Sequence, residues 1–83
     1  MAEIKPPLMK ILAKTYIASS MIDLKFGRYD ISFKTDEKGR PILLFIGKRL
    51  ANGTIKGNRY ARRLAQDRQG NIIKDHWDHK GLT

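Results

Sequence analysis

The chain has 83 residues, with seventeen Lys and Arg against eight Asp and Glu for a net charge of +9, and no cysteine. That length allows one small core, and the absence of cysteine excludes disulfides, thiolate metal sites and a thiol nucleophile. So large a positive charge favours a polyanionic partner, nucleic acid first among them.

Residues 1 to 6 read as a flexible leader. Glu3 and Lys14 interrupt the pattern of a secretory signal, and no stretch approaches the ~20 apolar residues that cross a bilayer. A cytoplasmic protein with no membrane contact is the expectation. Pro6-Pro7 suits a helix start, where a missing N–H costs nothing. Leu8, Ile11, Leu12, Thr15, Tyr16 and Ser19 then recur at three and four, which predicts a helix over 7–22. Gly27 marks the break before a sheet.

The pattern Arg-Tyr-x-x-x-[Phe/Leu]-x-x-Asp-x-x-Gly-x-x-Ile occurs twice, from Arg28 and again from Arg59. Each copy reads as a hairpin, because Asp opens a type I turn and Gly three residues later accepts the left-handed conformation of a bulge. Between them lies Asn52-Gly53, which predicts a two-residue type I′ turn. The expected fold is α+β: an N-terminal helix packed on a four-stranded antiparallel meander over 28–77, built from two related hairpins, with 78–83 as a frayed tail. All 83 residues form one small domain on this reading.

A two-residue turn at Asn52-Gly53 and three-residue loops at 37–39 and 68–70 fix which residues share a face. Tyr29, Ile31, Phe33, Leu43, Phe45, Tyr60 and Leu64 then collect under the helix. Lys34, Ile42, Leu44, Ile46, Lys48, Arg59, Ala61, Arg63, Ile73 and Trp77 collect on the other face. Cations around a flat apolar floor with an indole suit a single strand of nucleic acid: phosphates pair with Lys and Arg, and a base stacks on the ring. The expected interface is Lys34, Lys48, Arg59, Arg63 and Trp77, with Arg62 at the rim. The alternative is a protein-interaction or structural module whose apolar stripe, Ile42, Leu44 and Ile46, forms a homodimer seam.

An enzyme is not expected, and no cofactor. Gly27, Gly39, Gly47, Gly53, Gly57 and Gly70 read as turns, breaks or bulges and not as a phosphate loop. Asp75-His76-Trp77-Asp78-His79 is the one cluster that reads as metal-ligand residue types, and on a strand His76 and His79 point to opposite faces. A metal-dependent enzyme built on them is the least favoured reading.

Overall fold

A computed structural model describes residues 4–83. It contains one short helix, α1 (Pro6–Leu12), and five strands: β1 (Met21–Phe26), β2 (Tyr29–Thr35), β3 (Pro41–Arg49), β4 (Ile55–Gln66) and β5 (Ile72–Leu82). The strands form a single antiparallel sheet in chain order, a simple meander. The fold is therefore mostly β, with five strands where the sequence predicts four. The expected leader falls partly on residues 1–3, which lie outside the described residues.

The helix stops at Leu12 and not at residue 22 because the chain beyond it finds better partners in the sheet. The Tyr16 N–H donates to the Gly39 carbonyl at 2.8 Å, and its hydroxyl donates to the Ile11 carbonyl at 2.7 Å. The buried Thr35 hydroxyl donates to the Ile17 carbonyl at 2.6 Å and accepts the Ser20 N–H at 2.9 Å. Thr15, Ile17, Ser19 and Ser20 are poor helix formers, so little helical stability is lost in the exchange. The segment from Met21 becomes β1 instead, joined to β2 by the two-residue loop Gly27-Arg28. Gly27, at φ 60, takes the positive dihedral of a type II′ turn.

The remaining three turns share one construction. Asp36, Leu50 and Asp67 each exchange backbone bonds with the residues three and four places on, and Gly39, Gly53 and Gly70 sit at φ 79, 90 and 86. Each is a three-residue loop with a glycine bulge. Asn52-Gly53 is thus not a type I′ turn. The Asn52 side chain accepts the Thr54 N–H at 3.1 Å and the Thr54 hydroxyl at 2.7 Å, and only Gly53 has positive φ. The turn from Leu50 lies outside the sequence repeat yet makes the same bonds, so Asp-x-x-Gly marks a turn type and not a pair of related hairpins. The two copies also differ in environment, β2 being largely buried and β5 largely exposed.

Register follows from these turns. A bulge between Lys34 and Thr35 and the longer loop after Leu50 each slip the pairing by one residue, which turns side chains to the opposite face. Phe33 consequently stands opposite Leu44, and Leu44 opposite Tyr60. Leu8 and Leu12 of the helix close over Ile31, Phe33, Leu44 and Tyr60 to form the core. Seven residues are too few to hold a helix alone, so this burial is what stabilises it, at about 1.5–3 kcal/mol per leucine. β5 runs on to Leu82, and residues 78–82 are paired with β4 where a frayed tail is expected. The Thr83 N–H donates to the Gly57 carbonyl at 3.0 Å and ties down the end.

Candidate nucleic-acid interface

The helix covers one face of the sheet, and among the described residues no element covers the other. Antiparallel partners share a face, so the uncovered surface can be read strand by strand. One row crosses Asp23, Ser32, Phe45 and Arg59; the next crosses Met21, Lys34, Leu43, Ala61 and Asp78. Arg63 and His76 form a third pair on the same face.

The six residues expected at the interface divide. Lys34, Arg59 and Arg63 lie together on the helix-free face, exposed. Lys48 is exposed too, but its alternation places it on the helix side, opposite Lys56. Trp77 pairs with Arg62 on the helix side and packs against the core. Arg62 is a structural clamp: it holds Asp75 through two hydrogen bonds of 2.7 Å and donates to the carbonyls of Leu12 and Pro41 at 3.2 and 3.1 Å. Its guanidinium lies 5.6 Å from the Trp77 ring centre. With the side chain 10% exposed, it ties the helix end to the sheet and is not presented to a phosphate.

The apolar seam meets the same correction. Leu44 has no exposed surface, and Ile46 packs against the core beneath the helix. Ile42 and Ile46 are partly exposed but flank a buried Leu44, so the three do not form a continuous exposed seam. The residue that takes the open position is Phe45, half-buried in the middle of the uncovered face. Sequence reasoning placed it under the helix; the bulge between Lys34 and Thr35, which sets Phe45 opposite Ser32, turns it out in step with the three-residue loop after Leu50.

The charges on this face are unequal in freedom. Arg63 donates to Asp78 at 2.7 Å, and His76 lies 2.9 Å from the other oxygen of that carboxylate. The Arg63 hydrogen bond, with the surrounding positive charge, holds the Asp78 carboxyl below the usual range. Arg49 reaches across β2 to Asp23 at 3.1 Å and donates to the Gly53 carbonyl at 2.7 Å. The Arg49 N–H, together with Lys25, draws the Asp30 carboxyl downward as well. Among the described residues, Lys34 and Arg59 have no carboxylate partner; Arg59 makes only a 3.5 Å contact with the Lys80 carbonyl. Two cations are thus left free beside Phe45.

Gly47 and Gly57 stand opposite each other where β3 and β4 cross most closely. A Cβ on Gly47 would overlap the Lys56 carbonyl, and one on Gly57 the Ile46 carbonyl. That crossing lines a cleft on the helix side, whereas a separate cleft of about 340 Å³ is lined by Met21, Ser32, Phe45, Gly53, Thr54, Ile55 and Thr83.

No group of three or more metal-ligating side chains exists among the described residues. His76 and His79 project to opposite faces; the latter lies 2.9 Å from the Asn58 amide oxygen and edge-on to Tyr60. No helix among the described residues is long and apolar enough to cross a membrane. Comparison with protein-family models, with curated proteins and with solved structures finds no match.

Proposed function

We propose that the protein is a small non-enzymatic binding module for nucleic acid, single-stranded or structured, and that its contact surface is the helix-free face of the sheet. The observation that carries this reading is Phe45 flanked on the helix-free face by Lys34 and Arg59, two cations with no carboxylate partner among the described residues. Unpaired cations attract phosphates and release counterions, while the part of the Phe45 ring left open offers a face to bases of any sequence. Arg63 adds charge once a phosphate competes with Asp78 for it. The test is the salt dependence of binding to a mixed single-stranded oligonucleotide, compared between the native chain and Lys34→Ala/Arg59→Ala. The double variant is expected to flatten the slope by about one unit per residue. An unchanged slope would remove these residues from the interface.

A second reading rests on the free edge of β5. This strand has one neighbour, and Ile72, Ile73 and Leu82 along it are exposed. An unpaired strand edge pairs readily with another chain, so an interaction module would dock there and not through Ile42, Leu44 and Ile46. Sedimentation at rising concentration separates the two: self-association abolished by Ile72→Lys/Leu82→Lys, with indifference to oligonucleotides, would favour this reading.

A further inference from the structure

The cleft beside Phe45 has a regular construction. Its three large apolar side chains each stand directly opposite a cation in the sheet: Met21 opposite Lys34, Phe45 opposite Arg59, and Ile55 opposite Arg49. An apolar hollow ringed by positive charge is what a nucleotide requires, its base removed from water and its phosphate held at the rim. The volume, about 340 Å³, sits at the small end of ligand pockets. A single base fits that scale; a base pair does not.

The hydroxyls of the lining narrow the choice. Ser32 donates to the Asp23 carboxylate at 2.8 Å, Thr54 to the Asn52 amide oxygen at 2.7 Å, and Thr83 to the Ile55 carbonyl at 2.8 Å. A hydroxyl has one hydrogen, and all three are committed to protein acceptors, so what these oxygens still offer is lone pairs, one of which on Thr83 already takes the Gly57 N–H at 3.0 Å. A base edge that brings an amino group finds acceptors among these hydroxyls; a carbonyl oxygen finds no hydroxyl donor there and must turn to the cations of the rim.

We propose that this cleft takes one unpaired, amino-bearing nucleobase from a single strand, with its flanking phosphates on Arg59 and Lys34. The inference rests on the nucleic-acid reading and deepens it from a charged surface to a base-sized site. Duplex is disfavoured, because its bases are stacked and paired and cannot enter without being extruded.

The test is competition binding at low and at moderate salt with three short strands of equal length: oligocytidine, oligouridine and an abasic strand. Cytosine presents an exocyclic amino group and an N3 lone pair where uracil presents a carbonyl and an N3–H, so the pair reads the exchange of that donor–acceptor pattern against the hydroxyl acceptors. The expected order is oligocytidine tightest, oligouridine several-fold weaker, and the abasic strand on the order of ten-fold weaker than oligocytidine. Phe45→Ala is expected to bring all three together while leaving their salt dependence in place. Equal binding of cytidine and uridine strands would overturn the acceptor matching. Equal binding of all three, still loosened by salt, would overturn the base site and leave the backbone-binding face intact. If no strand binds at low salt, the nucleic-acid reading fails and the cleft assignment with it. The comparison of strands on the native chain needs no variant to fold.

Discussion

Arg59 stands directly opposite Phe45 across β3 and β4, on the face the helix leaves uncovered. The pair sets a free guanidinium beside an open aromatic ring, and it exists only because the strands are registered as they are. If the loop after Leu50 held two residues and the bulge between Lys34 and Thr35 were absent, Arg59 would face Ile46 and Phe45 would lie beneath the helix. Arg59→Ala is therefore expected to weaken oligonucleotide binding and lower its salt slope by about one unit, with thermal stability unchanged, since the side chain is exposed. Binding isotherms at several salt concentrations check this.

Arg62, the neighbouring arginine pair's first member, should behave in the opposite way. It binds Asp75 and two backbone carbonyls and stacks on Trp77. Arg62→Ala is expected to destabilise the fold by about 2 kcal/mol, the loss expected for hydrogen bonds to a charged group, without changing the salt slope of binding. Denaturant unfolding of the variant, beside its salt titration, reads both quantities.

Gly39 and Gly70 occupy the same place in the same kind of turn, at φ 79 and 86, yet alanine should not cost them equally. A Cβ on Gly70 meets open space, so Gly70→Ala carries only the left-handed penalty of about 1–2 kcal/mol. A Cβ on Gly39 would strike the Tyr16 carbonyl, whose residue is held there by its own bond to Gly39. Gly39→Ala should therefore lower the melting temperature more than Gly70→Ala, and a pair of thermal scans decides it.

Acid should loosen the turns and clamps together. The Asp67 carboxyl is pulled down chiefly by the Asn71 N–H, and Asp75 by the Arg62 guanidinium. Burial pushes Asp36 up, but hydrogen bonds from the Arg40 and Lys38 N–H groups and the Arg40 side chain outweigh it. A carboxyl lowered in the folded state adds stability that is complete above its unfolded value, 3.8, and is lost as pH falls through the folded one. Melting temperature is expected to be insensitive to these groups above about pH 5 and to fall progressively below about pH 4. Asp75→Asn should flatten part of that fall.

Much of the fold is legible in the chain. Asp36 to Gly39 and Asp67 to Gly70 give their loops away because each Asp can bond its own turn and each Gly supplies the positive φ. The alternation Tyr29, Ile31, Phe33 gives the buried side of β2. What is not legible depends on partners distant in sequence. Residues 13–22 continue a helical spacing, and only the Thr35 hydroxyl and the Gly39 carbonyl, contributed by a later hairpin, draw them out of the helix. Asn52-Gly53 is the usual sign of a two-residue turn, and the Thr54 hydroxyl on the Asn52 side chain changes it. That extra loop residue and the bulge between Lys34 and Thr35 together move Leu44 to the core and Phe45 to the open face. Lys34, Arg59 and Arg63 stay together through the slip because the bulge in β2–β3 and the longer loop shift the pairings in step; Trp77 and Lys48 do not.

The most direct test is a residue-resolved titration: amide and side-chain chemical shifts of the native chain followed while a mixed single-stranded oligonucleotide is added. The account predicts that Lys34, Phe45, Arg59, Ala61 and Arg63 move first and furthest, with Leu8, Leu12 and the Trp77 indole nearly still. Movement confined to the helix side, or no movement at low salt, would contradict it.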